Sequence, residues 1–391
     1  MTNTRVLISG ASIAGPALAY WLHRYGFDVT VVEKAPQVRA CGQAVDFKGP
    51  IHLGILRKMG ILDAVRRAAV PSEDGILVNA RGRKVGSVPG AFAGGEINVP
   101  RGDLANILYG LTAETCEYVF GDSVTALADT GDGVDVSFAH GAPRTFDLVV
   151  GADGIHSNVR ALAFGPESDY VRHLGYYYAL ADLDVDGNEV MYNEPGIMAA
   201  LGGPKASAFF VFAAPLSPAG RGDADAQKQF LADALRGGRW RIPELLAELP
   251  HAREFYLDSI SRVTVDRYSA GRVVLVGDAA YGNALGGFGT GLAVVGAYVL
   301  AGELARAGGD HVAAFARYES TYRDYASVSQ KINAGRLLAP GTKPGIVARN
   351  LGFSALSLFG PLMKIVDRPA TNLTLEDYPA QHAPGTSEPA P

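Results

Sequence analysis

Cysteine is almost missing: Cys41 and Cys116 are the only two in the chain. That excludes a disulfide framework and a cysteine-rich metal site, and it fits a reducing compartment. The eight histidines show no metal-ligand spacing, so no metal is expected. Charge is scarce as well: charged residues make up 19%, the net charge is −5, and no basic stripe marks a nucleic-acid surface. Near the C-terminus Gly and Pro interrupt the longest apolar stretches before they reach the length of a membrane span. The N-terminus runs straight into a strand with no room for a signal peptide, so the expected location is cytoplasmic.

What is present is apolar and glycine-rich. Apolar residues make up 48% of the 391 positions, enough for two to three packed domains at roughly 150 residues each. The chain is organised around its first thirty-odd residues. Val6 to Ile8 reads as a buried strand that breaks at Gly10. Ile13 to Tyr25 reads as a helix with Ala14, Gly15, Ala17 and Ala19 on the side that approaches the sheet, and Asp28 to Glu33 is the next strand. A strand–turn–helix–strand unit of this kind offers unpaired helix N–H groups to a pyrophosphate. Gly10, Ser12, Ile13, Ala14 and Gly15 form the turn, with Ser12 where the fingerprint has its middle glycine. Glu33 closes the second strand, where a carboxylate accepts ribose hydroxyls and favours FAD or NAD over NADP. Lys34 adjoins it.

Further along, Lys34 to Gly49 reads as a ligand-side loop carrying Arg39, Gln43 and Asp46, and His52 to Val70 as an amphipathic helix. Ile76–Asn79 and Lys84–Val88 read as a hairpin. Pro100 delays a helix from Leu104 to Thr115, with Asp103 as its cap. The stretches at Tyr118, Val124 and Val134 alternate with period two and read as an antiparallel meander. Between Tyr170 and Val265 the strand-like segments are mostly aromatic. Tyr176, Tyr178, Tyr192, Phe210 and Phe212 are candidates to line a pocket for a flat, mostly hydrophobic substrate. The competing reading is that they simply make the second core. Helices are expected at Thr290–Ala307, His311–Leu338 and Asn350–Val366, the last kinked at Pro361.

Two more motifs lie at separated positions: Val150-Gly-Ala-Asp153-Gly154-Ile-His-Ser157-Asn-Val-Arg160, and Val276-Gly277-Asp278-Ala-Ala-Tyr281 followed by Gly287-Phe-Gly289. With the first motif, and in this order, they resemble the single-component FAD-dependent aromatic hydroxylases. That family includes p-hydroxybenzoate and polyketide hydroxylases and the tetracycline-inactivating enzymes, and the likeness covers about residues 1 to 335. The resemblance implies an α/β fold: a Rossmann-like, glutathione-reductase-like FAD-binding domain and a mostly antiparallel substrate domain, followed by C-terminal helices. The expected division is 1–70, 97–165 and 266–335 for FAD, 71–96 and 166–265 for substrate, a helical segment 336–370, and a disordered tail 371–391.

The resemblance also implies roles. NADH or NADPH is a transient co-substrate, O2 the oxidant, and a C4a-hydroperoxyflavin delivers oxygen to an aromatic or polyketide-like compound. Asp278 accepts hydrogen bonds from ribityl hydroxyls, and Arg101 contacts flavin or ribityl. The turn through Gly287, Phe288, Gly289 and Thr290 brings a helix N-terminus to the flavin's developing negative charge. Asp153, Ser157 and Arg160 either serve the pyrophosphate and nicotinamide access together or form an Asp–Arg pair that fixes a turn. The family's histidine and prolines are replaced here by Tyr281 and Asn283-Ala-Leu-Gly. Tyr281, Asn283, Asp46 and Arg39 are the candidate catalytic groups; His52, His156 and His173 read as surface or capping residues. Alternatives are Baeyer–Villiger or dehydrogenating flavin chemistry, or a cyclase or binding protein retaining FAD structurally. Either a monomer or a homodimer is compatible.

Overall fold

The computed structural model describes residues 2–38, 44–72, 74–90, 95–186, 189–203, 206–217, 222–358 and 373–378. The expected strand–turn–helix–strand unit becomes the centre of a six-stranded sheet. Its order is Ser269–Ala270, Val273–Leu275, Leu148–Gly151, Arg5–Ser9, Asp28–Glu33 and Glu117–Phe120. All neighbours are parallel except the first pair. Val6, Leu7 and Ile8 are fully buried because helices cover the sheet, as parallel strands require. Two helices matter most, Ala14–Arg24 and Gly289–Arg306, which pack together with small residues between them.

The Glu117–Phe120 strand corrects the meander expectation. It joins the parallel sheet beside Asp28–Glu33, and only Val124–Asp129, Val134–Phe138 and Arg144–Phe146 form the antiparallel satellite. The helix after Pro100 also starts earlier than expected, at Arg101 and not after an Asp103 cap. Proline's fixed φ suits the position just before a helix, so Pro100 delivers Arg101 into the first turn.

The second sheet has seven strands, ordered Phe255–Val263, Val171–Ala181, Ala206–Ala213, Ile197–Gly203, Val190–Glu194, Gly75–Val78 and Lys84–Val88. The 76–88 hairpin therefore lies on this sheet, antiparallel to its own partner but parallel to Val190–Glu194. Helices Ala224–Ala234 and Ile242–Glu248 cover one face of the sheet. The expected 311–338 helix divides into His311–Gln330 and Ala334–Leu338, where Asn333 caps the second piece. The last helix is Lys343–Leu358, earlier than the expected 350–366; Pro361 lies outside the described residues.

Part of the expected disordered tail is ordered: residues 373–378 pack back on the first domain. The Tyr378 ring sits against Gly302, where a Cβ would come within 2.2 Å of it, and its hydroxyl donates to the buried Glu303 at 2.7 Å. Leu373 and Leu375 pack on the same core, Tyr298 donates to the Glu376 carbonyl and Lys58 pairs with Asp377, so several contacts dock a segment whose composition reads as disordered.

Candidate functional site

The first turn is built by close approach. Gly10 has φ +108°, and a Cβ there would stand 2.6 Å from the Ala152 carbonyl oxygen. A Cβ on Gly15 would stand 1.9 Å from the carbonyl oxygen of Gly10. Both clashes are with backbone, so neither can relax and both positions require glycine. Ile13 heads the helix with no side-chain cap, which leaves the N–H groups of its first turn, including Ala14, for an anion. Ser12 does not act as a spare glycine. Its hydroxyl accepts from Arg101 Nη2 at 2.9 Å and Nε at 3.3 Å, which holds an exposed guanidinium against the turn. Glu33 accepts the Ala11 N–H and the Ala35 N–H, each at 2.9 Å, so it braces the turn at the ribose position. Lys34 is exposed beside it.

In the second motif Asp153 fixes the turn, but without the ion pair to Arg160. Asp153 accepts from Ser157 Oγ at 2.5 Å and from the N–H groups of Asn158 and Val159. Burial pushes its carboxyl above the usual range against those hydrogen bonds. Its oxygens are committed to heading the Asn158–Ala163 helix. No Asp–Arg pair forms. Arg160 is fully buried and donates instead to the carbonyls of Ala279 at 2.9 Å and Ile155 at 2.6 Å. It ties the second motif to the third.

The third motif supplies the free carboxylate. Asp278 opens a short helix, Asp278–Tyr281, and its side chain makes no hydrogen bond among the described residues. Burial raises its pKa while the field of Arg101 opposes the rise. A Cβ on Gly289 would lie 3.7 Å from Asp278 Oδ1, so this carboxylate faces the start of the Gly289–Arg306 helix. That helix has no side-chain cap: Phe288 occupies the N-cap in the left-handed region at φ +63°, after Gly287 at +71°. Gly289 and Thr290 therefore present first-turn N–H groups toward the same place as Asp278.

Three of the candidate catalytic groups are placed elsewhere or committed, and the fourth, Arg39, lies outside the described residues. Tyr281 points into the core: its ring packs on Tyr268 and Tyr322, and a Cβ on Gly296 would touch its hydroxyl at 2.2 Å. Asn283 is a brace. Its Nδ2 donates to the carbonyls of Ser329 at 2.5 Å and Ile332 at 2.9 Å, at the end of the His311–Gln330 helix. Gln330 returns the contact by donating to Tyr281 O, and Arg262 donates to Ile332 O. Asp46 is ion-paired with Lys48 at 3.1 Å, and Lys48 lies over the Phe288 ring. Sequence reasoning missed Lys48, Gln330 and Arg262, whose roles depend on Phe288, Tyr281 and Ile332 in other elements of the fold. His52 is neither at the surface nor exposed. It is wholly buried against Gly291, accepts the Lys48 N–H at 3.1 Å, and burial lowers its pKa to about 4.

The aromatic candidates divide by the pleat of the second sheet. Tyr192, Phe210 and Phe212 lie on the helix-covered face and are core, which corrects their reading as substrate contacts. Tyr176 and Tyr178 lie on the other face with Leu180, Met198, Phe209, Val211 and Ile260, opposite Ala284 and Leu285 of the third-motif loop. Phe209 and Val211, not their neighbours, thus face the first domain. Period-two alternation identifies two faces but not which one a helix will cover.

The FAD binding domain family matches residues 3–327. A flavin-dependent monooxygenase of Legionella longbeachae serogroup 1 is 35% identical over 350 residues, 84% of this chain and 87% of that protein. The solved structure of tetracycline destructase Tet(55) is similar at 32% identity and a TM-score of 0.82, over 97% of this chain and 100% of that one. Klebsiella pneumoniae HpxO, solved with FAD and uric acid, shares the fold at 22% identity and a TM-score of 0.69, over 94% and 98%.

Proposed function

The chain belongs to the FAD binding domain family of flavin-dependent monooxygenases, and on that premise we propose that it hydroxylates an electron-rich aromatic or polyketide-like small molecule with NADH or NADPH and O2. One observation carries the reading: two helix N-termini without a side-chain cap, the Ser12–Arg101 contact and Asp278, which has no hydrogen-bond partner among the described residues, are gathered on one side of the first domain. These residues fit FAD. The Gly10–Gly15 turn and Arg101 suit the diphosphate, Glu33 the ribose, and Asp278 the ribityl chain. Gly287, Phe288, Gly289 and Thr290 suit the ring, where the helix N-terminus favours the reduced anion.

FAD, when bound, supplies hydride acceptance and oxygen activation. The protein's residues position and exclude. The face bearing Tyr176, Tyr178, Met198, Phe209 and Val211 is apolar and suits a flat ring system. The compounds named for the relatives, a tetracycline and uric acid, are cyclic and rich in enolisable or aromatic groups, which supports the same class. Neither Tyr281 nor Asn283 reaches this face, so the proposed chemistry does not use them.

The test is anaerobic reduction of the FAD-loaded protein by NADH and by NADPH, with and without a panel of phenols, tetracyclines and uric acid. Flavin bleaching accelerated by one ligand class, followed by oxygen-18 incorporation from O2 into that ligand, is the expected result. A flavin left oxidised under every condition would refute the hydroxylase reading.

A further inference from the structure

Several arginines of this fold pair with a carboxylate: Arg144 with Glu117, Arg241 with Glu244 and Arg323 with Glu319. Arg349 does not. It lies half-buried on the Lys343–Leu358 helix, and the acceptors around its guanidinium are all neutral. Nη1 donates to the carbonyls of Leu337 at 3.3 Å and Leu338 at 3.2 Å, Nη2 to Asn193 Oδ1 at 2.5 Å, and Nε to Asn350 Oδ1 at 2.9 Å. The Phe353 ring lies 5.2 Å from the guanidinium carbon. A guanidinium carries five N–H groups, so one on Nη2 is left without an acceptor among the described residues. Burial lowers the Arg349 pKa to about 10, and no neighbouring charge offsets it. Glu194, next to Asn193, points to the opposite side of its strand, where it accepts from Tyr192 and Arg239.

Asn193 stands in register with Met198, and Leu338 packs into the same cluster as Met198, Tyr178 and Phe209. The guanidinium is therefore at the rim of the apolar face, where the short Ala334–Leu338 helix closes over it. Arg262, which donates to the Ile332 carbonyl just ahead of that helix, is a second guanidinium with no carboxylate partner among the described residues. We propose that Arg349 is the counter-charge for an anionic oxygen of the ligand on this face, so that the site selects aromatic acids and enolates over neutral rings of the same shape. This deepens the hydroxylase reading and rests on it. Burial among neutral groups leaves the charge weakly screened, so it attracts an anion more strongly than a surface arginine does. A carboxylate or enolate that enters supplies both the missing charge and an acceptor for the remaining N–H, and charge-assisted hydrogen bonds of this kind are the strong ones. A guanidinium that merely satisfied the Leu337 and Leu338 carbonyls at the end of their helix would do none of this, and the test separates the two roles.

The experiment titrates the FAD-loaded, oxidised protein with a hydroxynaphthoate and with its methyl ester, reading binding from the flavin absorbance. The two probes share a ring system and differ by one charge. Arg349→Gln keeps an amide donor for the carbonyls without the charge, and Arg349→Lys keeps the charge. The wild type is expected to bind the acid more tightly than the ester. Glutamine should weaken the acid roughly ten- to hundredfold, the range for a hydrogen bond to a charged group, and leave the ester unchanged, while lysine retains most of the preference. A glutamine variant that weakens acid and ester alike, or neither, would overturn the assignment and leave Arg349 a helix cap. A wild type that shows no preference for the acid, or binds neither probe, would overturn it as well. Acid binding with the expected dependence on Arg349, beside a flavin that neither NADH nor NADPH reduces, would refute the hydroxylase reading and leave the anion site standing.

Discussion

Replacing Asp278 by Asn is expected to move apoprotein stability and FAD affinity in opposite directions. Asp278 is a carboxylate with no hydrogen-bond partner among the described residues, and burial raises its pKa. An acid with a raised folded-state pKa holds its proton more tightly in the native state than in the unfolded one. The apoprotein is therefore favoured below the ordinary Asp range and loses stability as pH rises through the folded-state value. Asparagine removes that loss. Because the residue is only half-buried, the expected gain at neutral pH is about 1 kcal/mol, at the low end for an unsatisfied polar group. The bound state behaves oppositely. A hydrogen bond to a charged group contributes about 1.5–3 kcal/mol, so losing the charged acceptor for a ribityl hydroxyl weakens binding roughly ten- to hundredfold. The assay pairs thermal unfolding of the apoprotein across pH with a titration of apoprotein against FAD fluorescence. An Asn variant that melts lower as the apoprotein and binds FAD as tightly as the wild type would refute the argument.

His52, with its pKa lowered to about 4, makes the fold acid-sensitive in the other direction: stability is complete above about 6.5 and is lost as pH falls from there toward about 4. His52→Phe should flatten that limb of the pH–stability curve, read by denaturant unfolding at each pH. Tyr378→Ala should cost about 3–5 kcal/mol, because it empties the notch over Gly302 and leaves the buried Glu303 without its donor; thermal unfolding reads it. The two neighbours Phe209 and Phe210 should part company. Phe210→Ala loses about 3–5 kcal/mol of core packing, whereas Phe209→Ala chiefly changes which panel ligands accelerate flavin reduction.

Much of the first domain was legible because its signals are local. Gly15 is demanded by the carbonyl of Gly10 five residues before it, and a glycine-rich turn between an apolar strand and a small-residue helix has few other uses. The Ala152 carbonyl that demands Gly10 comes from the neighbouring strand's end and adds a tertiary reason for the same residue. The same locality explains why Asp278, Phe288 and the helix at Gly289 could be placed from a short motif. The directions of the Tyr281 and Asn283 side chains were not legible for the opposite reason. Tyr281 and Asn283 were judged by their place in a motif, yet their direction is set by Gly296 and Ser329 in two later helices and by Ile332 in the loop that follows. Position in a motif fixes where the backbone runs, not which way a side chain turns.

The sequence by itself determined the strand and helix periods, the glycine turns and the order of the three motifs, since each follows from steric and hydrophobic rules within a few residues. Only the tertiary structure decided which face of the second sheet meets the first domain, that Ser12 holds Arg101, and that His156 meets Asp258 across the domains. The physical reason is common to all three. These contacts join residues widely separated in the chain, and a pattern of period two or 3.6 carries no record of what will pack against it.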